Sequence, residues 1–254
     1  MTRIKRKSSI PMTPWCRSNH RTSFVMLVGF ILLSRYTDIF SARVVIIKRV
    51  VVKARRLKTK RIGIYAGTFD PVHAGHVTFA LQALQVANLD AIYFLPERQP
   101  RHKHGVEHLA HRIAMLKRAA QPHPRFQVLE LPDVNFSVER TLPKLQQQFA
   151  GSQLVFLFGS DVISGFMSWP RIERLLQTSE LVIGLRSADD QENVERQIAA
   201  WPVRPKALKV FASYAPDISS GKVRAALRHR SHTRGLLMSV QRYSNRHWLY
   251  ISLA

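Results

Sequence analysis

The 254-residue chain has a single cysteine, Cys16, and few acidic residues. One cysteine excludes an intramolecular disulfide and fits a reducing compartment. Only 16 aspartates and glutamates stand against 39 lysines and arginines, so the formal net charge is +23. No internal repeat or low-complexity segment stands out. The chain is long enough to bury a full hydrophobic core, which favours a globular α/β domain.

The positive charge is concentrated at the N-terminus. Residues 1–60 contain fifteen lysines and arginines and one acid, Asp38, which gives +14 and leaves +9 for residues 61–254. The larger part is therefore only moderately basic, as expected of a protein that binds nucleotides. A polybasic arm can make nonspecific contacts with nucleic acid, but its charge does not indicate a specific nucleic-acid partner.

The first 60 residues also contain a short apolar run, at 22–34, between Arg21 and Arg35. A membrane-spanning helix needs roughly 20 apolar residues, and this run is shorter. Three interpretations remain: a wrongly assigned extension preceding the true start, a membrane anchor or interfacial helix, and an export signal. We expect the first. Membrane association is not favoured, and residues 1–60 are predicted to lie outside a domain formed by residues 61–254.

From residue 61 onwards, strand-like and helix-like segments alternate. Strands are predicted at 61–66, 91–95, 126–131, 154–158, 181–185 and 207–212, and helices at 77–87, 108–120, 138–149, 172–176, 192–200 and 219–228, with a C-terminal helical portion at 235–248. Repeated βα units predict an α/β fold with a doubly wound parallel, Rossmann-like sheet. Ligands of such folds bind beyond the carboxyl ends of the strands.

The segment from Gly67 to His76 is the most informative part of the chain. After a strand that ends in glycine, the chain turns through Asp70-Pro71 and reaches two histidines at i and i+3. Residues at this spacing share one helix face, so both imidazoles can point at one ligand. Glycine lets main-chain N–H groups approach an anion, and a helix N-terminus adds partial positive charge. The pattern predicts a polyphosphate site; two surface histidines, or a metal pair with Asp70, are the alternatives.

Basic residues follow the second predicted strand. Lys103 and its neighbour His102 can neutralise phosphate charge on a substrate; a solvated basic loop is the alternative. Arg112 lies in the next predicted helix, where a binding role and a surface position are both compatible with the sequence.

Two further segments lie at predicted strand ends. Asp161 follows the buried run at 154–158, where a carboxylate can accept hydrogen bonds from a ribose hydroxyl. Ser219 or Ser220 opens a helix whose free N–H groups suit a phosphate, and Arg224 lies one turn further on. A capped helix with an arginine is common, so this segment is informative only together with the others.

Taken together, these segments resemble the nicotinate-nucleotide adenylyltransferase family of the H-x-G-H nucleotidyltransferases. Residues 73–76 match the H-x-G-H motif, and 218–224 resemble Ile-Ser-Ser-Thr-x-Ile-Arg except for Gly221. Residues 100–103 resemble Pro-Pro-His-Lys, with Arg101 in place of the second proline. Val138-Glu139 replaces the usual Tyr-Thr in a region that helps the family recognise a pyridine carboxylate. The similarity extends over about residues 61–252.

The resemblance also implies roles for individual residues. It implies that His73, His76, Lys103 and Arg224 act in catalysis, that Gly67, Thr68, Phe69, Gly75, Asp161, Ser219 and Ser220 bind ATP, and that His102, Arg112 and Trp169 bind the acceptor. Trp169 would lie near the pyridine ring, although a core or hinge aromatic is an equal alternative.

The implied reaction joins the AMP of ATP to nicotinate mononucleotide and releases pyrophosphate. A phosphate oxygen attacks, so the chain needs positioned donors and no nucleophilic side chain. Mg²⁺ is expected to be held by the substrate and water, with no metal ligand from the protein. The alternatives are a sister adenylyl- or cytidylyltransferase with another acceptor, such as phosphopantetheine, and a non-catalytic nucleotide-binding protein with a basic arm. A cytoplasmic location is expected because the nucleotides are cytoplasmic, and homo-oligomerisation remains open.

Overall fold

The computed structural model describes residues 59–101, 103–186, 191–229 and 231–251. Within these ranges, strands and helices alternate along the chain. The strands are β1 Arg61–Gly67, β2 Ala91–Pro96, β3 Phe126–Val128, β4 Gln153–Gly159, β5 Glu180–Leu185 and β6 Ala207–Ala212. The helices are α1 Ala74–Val86, α2 Leu109–Ala120, α3 Thr141–Gln148, α4 Ile163–Phe166, α5 Ile172–Thr178, α6 Gln191–Ala199, α7 Ser220–Arg228 and α8 Met238–Arg246.

The strands form one sheet in the order β3-β2-β1-β4-β5-β6, and every neighbouring pair is parallel. The predicted α/β doubly wound fold is confirmed. Ile62 of β1 lies opposite Ala91 of β2 on one side and Leu154 of β4 on the other. The strand order reverses between β1 and β4, and this reversal opens a crevice at their carboxyl ends.

The sheet is covered on both faces, as the continuous apolar run of β4 indicates. Leu154, Phe156 and Phe158 belong to a core shared with residues of α3, α5 and α6. Val155 and Leu157 belong to the core on the other face, shared with residues of α1, α2 and α8. A strand buried on both faces holds the loops at its carboxyl end against a rigid base.

The helices differ from the sequence prediction at several ends, and one short helix was not predicted. α1 begins at Ala74 because His73 acts as its N-cap, a position that histidine rarely takes. The segment after Ser137 first makes a turn, in which the N–H of Thr141 donates to the Ser137 carbonyl at 2.8 Å, so α3 begins only at Thr141. The short helix α4 was not predicted, because four residues are too few for a periodic pattern.

In the described part of the chain, no helix combines the length and apolar character needed to cross a membrane. The apolar run at 22–34 lies outside the described residues.

Candidate active site

The two histidines of the H-x-G-H motif lie together at the start of α1. Their rings stack, with centroids 3.7 Å apart and planes 29° from parallel. The main-chain N–H of His73 donates to Nδ1 of His76 at 3.2 Å. A neutral imidazole that accepts at Nδ1 carries its proton on Nε2. The local hydrogen bond therefore leaves Nε2–H of His76 as a donor.

Both imidazoles are neutral at pH 7. His73 is only 5% exposed, and burial, assisted by the charge of Arg186, lowers its pKa to about 4. Burial also lowers the pKa of His76 well below its ordinary value, with further contributions from His73, Arg186 and Lys103. Nδ1 of His73 is buried and has no hydrogen-bond partner among the described residues.

The loop between β1 and α1 folds its own side chains inward. Phe69 is 1% exposed and adopts a φ of +50°, and its ring lies 3.1 Å from where a side-chain carbon on Gly67 would stand. Because the Phe69 ring is buried, a ligand can reach only the main-chain atoms of Gly67 and Phe69. Position 75 also favours glycine, because a side-chain carbon there would lie 3.0 Å from the His73 ring.

The buried carboxylate of Asp70 is held by the C-terminal segment. The hydroxyl of Tyr250 donates to Oδ1 at 2.6 Å, and burial together with this bond raises the pKa of Tyr250. Asp70 is 3% exposed. Among the described residues, no cluster of three histidine, cysteine or acidic side chains could hold a metal ion, so the alternative of a metal site with Asp70 gains no support.

The helix α7 is tied to the same loop. Nη1 of Arg224 donates to the main-chain oxygen of Asp70 at 2.6 Å, and Ser220 Oγ donates to the Pro71 carbonyl at 3.0 Å. Ser219 has a different part: its Oγ accepts from the N–H of Lys222 at 3.3 Å and caps α7. The structure thus brings Arg224 and Ser220 to the loop that precedes the histidines, while the side chain of Ser219 caps α7.

Lys103 joins this group from the loop after β2. Its Nζ donates to Thr68 Oγ1 at 2.9 Å. Thr68, Lys103, Ser220 and Arg224 border a cavity of about 310 Å³. The neighbouring His102 lies outside the described residues.

A larger cavity of about 630 Å³ adjoins it, with Thr68 and Lys103 in both walls. His76 and Trp169 both border this cavity. Trp169 is half-buried against Phe136 and Phe158, with ring centroids 6.1 and 5.7 Å away. The result is an aromatic wall that faces the cleft.

Asp161 borders the same cleft and is paired with Arg186, from Nη2 to Oδ2 at 3.1 Å. A side-chain carbon at Gly159 would contact the carboxylate of Asp161, which is the end of an exposed side chain and would have to move. Arg186 was not among the site residues predicted from the sequence. It is the first residue after β5, so its position at a strand end, like that of Asp161 after β4, is the signal that could have identified it.

Arg112 differs from the expectation that it binds the acceptor. It is 1% exposed, and its three guanidinium nitrogens donate to the carbonyls of Thr68, Arg98 and Glu107 at 2.7 to 3.1 Å. It does not border the cleft that contains Trp169. Its contacts tie the loops after β1 and β2 together, so it acts on the site only through them.

Two of the departures from the family pattern are accommodated without loss of the cleft. Glu139 is exposed, pairs with Arg171 at 3.4 Å, and does not border the cleft. A side-chain carbon on Gly221 would have its nearest neighbour, Ser219 Oγ, at 3.8 Å. The backbone there could accept the family's threonine.

Most of the predicted residues border one composite cleft, whereas Arg112 and Ser219 do not border it. A small cavity bordered by His73 and Gly75 adjoins the 630 Å³ cavity through His76 and Arg186, and that one adjoins the Arg224 cavity through Lys103. The two imidazoles and three cationic side chains surround a space at the carboxyl ends of β1 and β4. Such a space suits a nucleotide with several phosphates.

Comparison with known proteins points the same way. The chain is 29% identical over 198 residues to a Neisseria meningitidis protein named "Probable nicotinate-nucleotide adenylyltransferase", covering 75% of this chain and 98% of that one. It is 35% identical over 129 residues to nicotinate-nucleotide adenylyltransferase of Bacillus subtilis, covering 48% and 68%. The structure of Plasmodium falciparum nicotinic acid mononucleotide adenylyltransferase complexed with NaAD has the same fold, at 19% identity and a TM-score of 0.65, over 77% of this chain and all of that one.

The family model described as cytidylyltransferase-like matches residues 64–226 and so spans β1 to α7 with all four motif segments. This chain belongs to the cytidylyltransferase-like family and, within it, to the nicotinate-nucleotide adenylyltransferases.

Proposed function

We propose that this chain transfers the adenylyl group of ATP to nicotinate mononucleotide, giving deamido-NAD and pyrophosphate in NAD biosynthesis. The observation that carries the proposal is the composite cleft, which His76, Lys103 and Arg224 share with the aromatic wall at Trp169. The names of the relatives support the same reaction.

The proposed reaction requires the protein mainly to position its two substrates. An oxygen of the acceptor phosphate forms a bond to the α-phosphorus of ATP, and the bond from that phosphorus to the bridging oxygen breaks as pyrophosphate leaves. The attacking oxygen is already anionic, so no side chain has to remove a proton. Catalysis then depends on alignment and on donors aimed at the phosphate oxygens.

We assign these donors to both ends of the cleft. Nε2–H of His76 and the ring of His73 would face the α-phosphate as neutral groups, while Lys103 and Arg224 would balance the charge of the leaving pyrophosphate. The main chain at Gly67 and Thr68 would approach the phosphates, as the helix N-terminus favours.

The remaining roles belong to the nucleoside ends. Asp161 would accept from a ribose hydroxyl, and Gly75 lets the His73 ring lie flat beside the bound nucleotide. Trp169 would pack against the pyridine ring of the acceptor. We give Arg112 a positioning role, because its donors are engaged by the carbonyls of the loops on either side.

Mg²⁺ would enter with ATP, held by phosphate oxygens and water, and would neutralise phosphate charge. Asp70 and Asp161 border the composite cleft and are engaged by Tyr250 and Arg186, respectively, which fits a metal carried by the substrate. A cytoplasmic location stays a prediction that follows from the proposed substrates.

One assay tests the proposal directly. Purified protein is incubated with Mg²⁺ and either ATP or CTP, together with nicotinate mononucleotide, nicotinamide mononucleotide or phosphopantetheine. Pyrophosphate and the dinucleotide product are measured together. We expect turnover with ATP and a pyridine mononucleotide; turnover with phosphopantetheine or CTP instead would identify a sister transferase.

A further inference from the structure

Arg101 stands where the resembled motif has proline, and the structure places it in the cleft. It lies in the loop after β2 and borders the 630 Å³ cavity together with Trp169 and Phe136. Its Nη2 donates to the Asn135 side-chain oxygen at 2.9 Å and to the Phe136 carbonyl at 3.0 Å. These two bonds hold the guanidinium beside the aromatic wall and leave Nε and Nη1 available.

No carboxylate of the described residues lies within ion-pair distance of Arg101. The acids that border the cleft have other partners. Glu97 accepts from the N–H of Phe136 at 3.1 Å, and Asp161 is paired with Arg186. Arg101 is therefore a cation, held beside the aromatic wall, that no carboxylate of the described residues neutralises.

The residues at 138 and 139 cannot take this place. Val138 is 3% exposed and belongs to the core below the cleft. Glu139 is turned to Arg171 and would repel an anion. A ligand with an aromatic ring and a negative charge would find its complement at Arg101 instead.

We propose that Arg101 is a specificity-determining residue that binds the carboxylate on the pyridine ring of the acceptor and so selects nicotinate over nicotinamide mononucleotide. The proposal rests on the proposed function. The planar guanidinium presents parallel N–H donors that match a carboxylate, whereas a carboxamide carries no charge and offers one acceptor oxygen. The two acceptors share every other group, so Arg101 would act on their difference alone.

The test compares both acceptors in the full chain. Arg101→Met should lower kcat/KM for nicotinate mononucleotide about 10- to 100-fold, mainly through KM, the range typical of a lost charge-assisted hydrogen bond. The kcat/KM for nicotinamide mononucleotide should change less than about 3-fold, which is well below the effect of losing a charge-assisted hydrogen bond. Arg101→Lys keeps the charge without the fork and should fall between wild type and Arg101→Met.

Arg98→Met is the matched control. It removes the same charge from the same loop, but Arg98 does not border the cleft and donates to the Leu131 carbonyl. We expect it to leave the ratio of the two kcat/KM values unchanged.

The other outcomes would overturn the proposal in distinguishable ways. An equal fall for both acceptors would mean that Arg101 binds their shared phosphate or only holds the loop. A wild-type enzyme that uses both acceptors equally would retain the adenylyl-transfer function and remove the selectivity. If the wild type used neither, the proposed function itself would fail and this proposal with it.

Discussion

At the scale of single residues, the proposed chemistry depends on imidazoles that stay uncharged. A protonated pair stacked at 3.7 Å would repel, and the charge of Arg186 would add to the repulsion. Burial therefore suits the pair to donate hydrogen bonds as neutral groups, while Lys103 and Arg224 provide the fixed charge. Neutral donors can be aimed at an oxygen without the desolvation cost of two buried cations.

Replacing His76 tests this division of labour. His76→Ala removes one preorganised donor, so we expect kcat to fall about 10²- to 10³-fold, or roughly 3–4 kcal/mol, with smaller changes in KM. Steady-state kinetics with ATP and the acceptor measure it. The exposed His229, which does not border the cleft, is the control for losing an imidazole. Activity within a few-fold of wild type would remove His76 from the mechanism.

The depressed pKa of His73 predicts a pH dependence of stability. In the unfolded chain this histidine titrates near 6.5, and in the folded chain near 4. Between these values the unfolded state binds the extra proton, so stability falls as pH falls, by about 1.4 kcal/mol per pH unit for one proton. His73→Asn removes the imidazole, places a favoured N-cap residue at the start of α1, and should flatten this slope. Urea denaturation of both proteins at pH 6.5 and 4.5 measures the difference; identical slopes would contradict it.

At the scale of elements, the site is completed by segments from the far end of the chain. α7 reaches the loop before the histidines through Arg224 and Ser220, and Tyr250 reaches it after α8. The Gly235 carbonyl also accepts from the N–H of Ala74, at the first residue of α1. The C-terminal portion thus holds the loop that precedes the histidines and also packs against the sheet.

Tyr250→Phe should expose how much the contact with Asp70 contributes. The change leaves a buried carboxylate oxygen of Asp70 without its donor, which typically costs about 1–3 kcal/mol. Chemical denaturation is the measurement. Tyr214→Phe removes the same hydroxyl from a side chain that is 77% exposed and should leave stability unchanged. Equal stabilities for both variants would show that the Asp70 contact contributes nothing.

Gly221→Ala should stabilise α7. Gly221 is exposed in the first turn, and a side-chain carbon there meets nothing closer than 3.8 Å. Alanine restricts the unfolded chain, so we expect a gain of about 0.5 kcal/mol in the free energy of unfolding. A thermal or urea transition measures it. A loss at position 221 would mean that its glycine conformation is required.

At the scale of the whole molecule, the fold gathers the four motif segments at one edge of the sheet. The segments are spread along the chain between residues 67 and 224, yet each follows a strand whose carboxyl end meets this edge. We propose that residues 61–254 form the catalytic domain and that residues 1–60 take no part in the reaction.

Removing residues 1–58 tests this proposal. The cut leaves Lys60, whose carbonyl accepts from the N–H of Gln153 at 2.8 Å where β1 and β4 begin. The shortened protein should fold, and its kcat and KM should lie within about 2-fold of those of the full chain, a difference below roughly 0.5 kcal/mol. Full-length protein assayed at the same salt concentration is the control. A large loss of activity in a folded protein would assign the basic segment a catalytic part.

The sequence by itself determined the order of the elements, the doubly buried strand β4 and the positions of the motif segments. These follow from periodicity, turn residues and helix signals, which act over a few neighbouring residues. It also indicated which strand ends would carry phosphate-binding groups, since strand direction in a βα repeat is fixed.

Only the tertiary structure decided the partners. Arg112 could be assigned to the surface or to a ligand until packing enclosed it among three carbonyls. Asp70 and Tyr250 are 180 residues apart, and no local pattern connects them. The depressed pKa of His73 likewise arises from burial and from Arg186, which follows β5, the second strand from β1 in the sheet. Such contacts depend on which surfaces meet in the folded core, and that is a property of the whole chain.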